Sequence, residues 1–163
     1  NKKGMNMKKL LIGLLSLMVA GNAFAESDID SGLKEFGIVD DNYVYTDLDL
    51  ASSFFTTVTD VYAKSLPINF NRYIEITGMM MTPYYSNFSY RYTIPIDTKD
   101  RAMIKEELSS KQNVREICED SFISERFMQA NGFTMVYSYM DIDYRPLVNV
   151  TINSAACISA FAQ

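Results

Sequence analysis

The apolar positions of this chain recur with two different periods, and the changes of period mark out its elements. Ala51, Phe54, Phe55, Val58, Val61 and Tyr62 follow three-and-four spacing, which puts them on one face of a helix over about 49–65. Thr46 or Asp49 is placed to cap its start, Lys64 suits its end, and Pro67 stops it from continuing. Beyond Pro67 the period falls to two. Ile74, Ile76 and Met80 alternate with Tyr73, Glu75, Thr77 and Met79, so one strand face is expected in a core. Pro83, Ser86 and Asn87 turn the chain, and Phe88, Tyr90, Tyr92 and Ile94 alternate with Ser89, Arg91 and Thr93 as a second strand ending at Pro95. The two strands are expected to pair as a hairpin.

Helical signals then return. Asp97 or Thr98 caps a helix over about 99–108, the Ser109-Ser110 pair interrupts it, and a second stretch around Val114, Ile117 and Cys118 runs to the stop signal Asn131-Gly132. Met135, Tyr137 and Tyr139 make one face of a third strand. Val148, Val150 and Ile152 make one face of a fourth, and Asp141 to Arg145 joins the two tightly. The order α-β-β-α-α-β-β predicts an α+β domain, with an antiparallel sheet of about four strands and helices on one face. The acidic stretch 26–45, whose first 16 residues lack periodicity, reads as an arm over a single domain at 46–163, disordered in part.

The first 25 residues follow another logic. Lys2, Lys3, Lys8 and Lys9 precede an apolar run from Leu10 to Ala20, and Ala23-Phe24-Ala25 supplies a small-x-small cleavage site. About 11 apolar residues are too few for a helix that spans a bilayer, which takes roughly 20. The segment is therefore expected to be a signal peptide cut after Ala25, with synthesis starting at Met5 or Met7 and no membrane anchor left after cleavage. Glu26 stands where a lipoprotein would carry cysteine. The periplasm, or secretion, is the expected destination.

Export changes the reading of charge and of cysteine. The part after Ala25 has 138 residues, with 11 Lys and Arg against 20 Asp and Glu, a net charge of −9. Such a chain opposes binding to phosphate backbones or anionic lipid and suits a partner with a basic surface. Cys118 and Cys157 are the only cysteines, and in an oxidising compartment they are expected to form one disulfide between helix and sheet. Two separate buried thiols are the alternative.

Chemistry finds little purchase. There is no histidine, which removes the usual neutral-pH base, the usual serine-protease partner and the commonest transition-metal ligand. Neither cysteine has a flanking motif for a nucleophile. Glu106 with Glu107, or Asp141 with Asp143, would serve carboxylate catalysis only if held across a cleft, and they read better as solvated charge. Asp40-Asp41-Asn42 and Asp141-x-Asp143 resemble pieces of calcium loops, yet after Asp141 the required Gly and Glu positions hold Pro146 and Ile152. Met79, Met80 and Met81 raise thioether binding of Cu(I), but adjacent strand residues face opposite ways, and core filling is the plainer role. The sequons at Asn87 and Asn149 fall in strands behind a bacterial signal and are set aside. No cofactor, metal or catalytic residue is expected.

Aromatic content is the feature that remains, with 11 Tyr, 10 Phe and no Trp. Cross-strand pairing accounts for most of the tyrosines. Tyr84, Tyr85 and Tyr144 fall at turns and are the candidates for an exposed binding surface. The stretch from the Cys118 helix through the Tyr137-x-Tyr139 strand, the Asp-containing turn and the last strand closed by Cys157 resembles, in general outline, small periplasmic proteins of Gram-negative bacteria. That resemblance implies neither an activity nor a functional residue. The function expected is a non-enzymatic periplasmic binding or accessory protein of an envelope or secretion assembly, its partner another envelope protein. The alternatives are an inhibitor or immunity protein that binds a cell-wall-degrading enzyme, and last a carboxylate-based hydrolase.

Overall fold

The computed structural model describes residues 28–162, so the signal segment and its cleavage site lie outside the described residues. The first element, α1 (Asp28–Glu35), belongs to the stretch expected to be an arm. It is part of the core instead. Ile29 and Leu33 of α1, and Ile38, Val39 and Tyr43 after it, are buried in the same apolar cluster as the sheet. Gly37 at φ 66° ends α1 in the left-handed conformation. Acidic composition hid this role because Asp30, which is buried, works as a cap: its carboxylate accepts from the backbone amides of Arg126 at 2.8 Å and Phe127 at 3.1 Å.

The strongest helical pattern forms α2 (Leu48–Ala63), and Ala51, Phe54, Phe55 and Val58 are its buried face. Its cap is Asp47, not Thr46 or Asp49. Asp47 has extended backbone angles, and its carboxylate accepts from Leu50 N at 2.9 Å. The Thr46 hydroxyl turns back to the carbonyls of Gly37 and Ile38.

Among the described residues five strands make one sheet in chain order: β1 (Ile68–Asn69), β2 (Ile74–Met81), β3 (Tyr85–Tyr92), β4 (Thr134–Met140) and β5 (Pro146–Ile152). The hairpins β2–β3 and β4–β5 are antiparallel as expected, and β1 is a short addition at the edge. The sheet is mixed, however, because β3 and β4 run parallel, from Tyr85 beside Thr134 to Arg91 beside Met140. Residues 93–133 carry the chain back to the end from which β3 began, which a long helical connection permits and a short turn does not. That connection holds α3 (Thr98–Leu108), α4 (Lys111–Ile117), a π-helical turn (Cys118–Phe122) and α5 (Arg126–Ala130). Gly132, at φ 64°, follows the last of these where Asn131-Gly132 was expected to stop the helix.

A bulge at Ile76–Gly78 resets the phase of β2. Ile74 and Ile76 pack on the core as expected, but beyond the bulge Met79 and Met81 are buried and Met80 points to solvent, the reverse of the simple alternation. The helices pack on one face of the sheet. α6 (Ser154–Phe161), capped by Asn153, closes the fold, and the Cys118–Cys157 disulfide joins it to the π turn across a sequence separation of 39. No helix among the described residues is long and apolar enough to cross a membrane.

Candidate functional site

The helical layer leaves a gap over the centre of the sheet. α2 packs on β2, while α4 packs on α6 and α3 on β5, so the core-facing side chains of the middle strands are only partly roofed. The gap is a groove of about 820 Å³, within the range of small-ligand and peptide sites. Met79, Met81, Phe88, Tyr90, Met135 and Tyr137 form its floor. Tyr62 at the end of α2, Ile68 of β1 and the flanking Leu66 and Phe70 make one wall; Asp120 and Ser121 of the π turn, Glu125 just before α5 and Met128 within it make the other.

The floor is ordered by aromatic contact. Phe88 stacks on Tyr137 with ring centres 5.7 Å apart, Tyr90 stacks on Tyr139 at 5.0 Å, and Phe70 meets Tyr90 edge-on at 5.7 Å. Burial pushes the Tyr90 hydroxyl well above its ordinary value, with Tyr137 and Tyr139 adding to the shift, and pushes Tyr62 up to about 12. It raises Tyr137 as well, against a hydrogen bond from Ser121 that pulls the other way. These phenols stay neutral in any physiological compartment. Within this apolar setting Ser86 is fully buried, and its hydroxyl has no hydrogen-bond partner among the described residues.

Tyr84, Tyr85 and Tyr144 are not brought together. Tyr84 is exposed and meets Tyr45 edge-on at 5.6 Å. Tyr85 is half-buried, and its hydroxyl accepts from Asn87 at 3.3 Å. Tyr144 is 57% exposed, with φ 61° and the Arg91 guanidinium 4.6 Å from its ring centre. Because β3 and β4 are parallel, Tyr84 and Tyr85 lie at their beginning and Tyr144 beyond their end, roughly 20 Å away at the rise of a strand.

The other candidates resolve into local structure. Asp141 is buried; its Oδ1 accepts from the amides of Asp143 and Arg145, both at 2.9 Å, and its Oδ2 from Arg101 at 2.7 Å and Arg145 at 2.9 Å. Burial works against its ionisation, yet the two amides and the Arg145 guanidinium outweigh it and hold the carboxyl below the ordinary value. Glu106 and Glu107 are exposed on α3. Among the described residues, no group of three or more His, Cys, Asp or Glu is placed to hold a metal.

Sequence reasoning missed the groove and Ser86. The signal for Ser86 was present, since it precedes Phe88, Tyr90 and Tyr92 in the same two-residue phase and so had to face inward. A gap between helices leaves no such trace.

The fold is thus an α+β arrangement with a mixed sheet, helices on one face, one disulfide and an apolar groove where the helical layer is open. Two solved structures are similar to it. One is the pilotin of the type 2 secretion system from Vibrio vulnificus, at 11% identity and a TM-score of 0.46, covering 68% of this chain and 94% of that one. The other is a candidate secreted protein from Pseudomonas aeruginosa, at 17% identity and a TM-score of 0.48, covering 68% and 95%. Neither likeness carries a function to this chain. No protein-family model matches the sequence, and no curated protein matches it.

Proposed function

We propose that the chain is a non-enzymatic binding or accessory protein of a bacterial envelope or secretion assembly, exported by residues 1–25 to the periplasm, and that the groove receives an apolar segment of an envelope-protein partner. The observation that carries this reading is the groove itself, an apolar surface on the sheet that the helices among the described residues leave open. Burying apolar area there gains about 25 cal/mol for each Å² removed from water, and the net stabilisation of a complex is what exceeds the cost of ordering the two partners. Four of its lining residues are methionines, whose unbranched side chains adjust to the shape of an incoming segment. Neutral tyrosines add large contact area with few rotatable bonds.

The test is retention of partners from periplasmic and membrane extracts by the oxidised chain from Glu26 onward, beside a Ser65→Trp variant. Ser65 is exposed at the groove wall, so the indole would obstruct entry with little effect on folding. An envelope-assembly protein held by the native chain and lost with Ser65→Trp is the expected result. Equal retention by both would remove the groove from the account. Capture of a cell-wall-degrading enzyme in a one-to-one complex would favour inhibition instead.

A further inference from the structure

The polar groups of the groove define its occupant more narrowly. The row Met81, Ser86, Met135 runs across β2, β3 and β4 on one face, so two long thioether side chains flank one short hydroxyl. Ser86 thus lies covered in the floor, its hydroxyl without a partner among the described residues, and an occupant reaches it once the flexible thioethers of Met81 and Met135 move apart. A buried hydroxyl without a partner is costly, and an incoming donor or acceptor that reaches it gains more than one meeting a hydroxyl already satisfied. The second observation is charge. Asp120 and Glu125 stand on one wall, and among the described residues no Lys or Arg lines the groove.

We infer that the groove selects an apolar peptide segment of a partner protein with two marks: a small hydroxyl side chain, Ser or Thr, seated on Ser86, and a Lys or Arg beside the Asp120 and Glu125 wall. The inference rests on the docking reading above and adds the chemistry of the docked segment. The hydrocarbon of a lipid has nothing to offer Ser86, and an anionic head group would meet two carboxylates. A basic segment is drawn to both the wall and the acidic protein as a whole.

The probes are short synthetic peptides with one alanine-leucine core: one with a central serine and lysine flanks, one with the serine and glutamate flanks, and one with lysine flanks and alanine in place of serine. Binding to the oxidised protein at low salt is read by fluorescence anisotropy. The lysine-flanked serine peptide should bind about tenfold more tightly than the glutamate-flanked one. That preference should vanish in an Asp120→Asn/Glu125→Gln variant and shrink at high salt. Alanine for serine in the peptide should weaken binding about three- to tenfold, and should make no difference to a Ser86→Ala protein. Melting temperatures confirm that the variants fold.

Equal binding of lysine and glutamate flanks would overturn the charge assignment, and equal binding of serine and alanine peptides would overturn the role of Ser86. In both cases docking in the groove would stand if Ser65→Trp still abolished binding. No binding by any peptide would defeat the docking reading together with this one.

Discussion

Arg101 of α3 reaches across to Asp141 and donates to its Oδ2 at 2.7 Å, fastening a helix with no buried residue to the turn between β4 and β5. The same carboxylate gathers the amides of its own turn, so one charge fixes both the turn and the helix above it. Because its folded-state value lies below the ordinary 3.8, ionised Asp141 stabilises the fold above that pH, and the contribution is lost as pH falls through the folded-state value. Asp141→Asn should therefore lower the melting temperature at neutral pH, and the gap to the native protein should close in acid below 3.8. Calorimetry over that range checks it; a gap that stays constant in acid would assign the loss to something other than charge.

The disulfide makes a separate prediction. Cys118 and Cys157 are both buried, and their bond ties α6 to the π turn. In the chain-entropy account, a closed loop of this size is worth about 4 kcal/mol. Cys118→Ser/Cys157→Ser should lower the denaturant midpoint accordingly and make residues 154–162 the first site of proteolysis. An unchanged midpoint and cleavage pattern would show that packing alone holds α6.

The bulge in β2 can be tested by neighbours. Met79→Ala empties a buried position and should cost about 2–5 kcal/mol, whereas Met80→Ala on the open side should stay within about 0.5 kcal/mol. Urea unfolding of the two variants decides it. The opposite ranking would restore the uninterrupted alternation.

The tyrosine floor predicts an alkaline transition. Tyr90 is raised above the ordinary 10.0 by burial and by Tyr137 and Tyr139, and Tyr139 is pushed up to about 12 by burial and by Tyr137 and Tyr92. An unfolded chain ionises these groups near 10.0, so their contribution is complete below that pH and lost as pH rises through the folded values. Near-ultraviolet phenolate absorbance should therefore appear in two phases, the later one coinciding with loss of circular dichroism. A single phase near 10.0 with the fold intact would mean that the floor is wet and accessible.

Most local structure was legible because it depends on near neighbours. The faces of α2, β3 and β4 follow from side-chain period, and the two antiparallel hairpins from the short connections between their strands. The parallel pairing of β3 with β4 was not, since it is settled by where a 41-residue connection, 93–133, lays its helices. Asp30 fell within the expected acidic arm because nothing near it in sequence reveals the amides of Arg126 and Phe127 that it caps. For the phase of β2, Gly78 was the one clue, a residue with no side chain where a bulge is easiest to make. Tyr84 and Tyr144 lie at turns as their neighbours suggested, whereas Tyr85 opens β3, and the separation of the three depended on the strand direction that sequence left open.

The parallel seam also sets an order of assembly. The β2–β3 and β4–β5 ladders each join segments a few residues apart and can form early, whereas the junction between them must wait for the whole intervening stretch to be drawn in. Tyr137 and Tyr139 reach Phe88 and Tyr90 only at that late step, so the groove floor does not exist until the two halves meet. A nascent or partly unfolded chain should therefore hold both hairpins and still lack the groove, which would tie the proposed docking to completion of the fold.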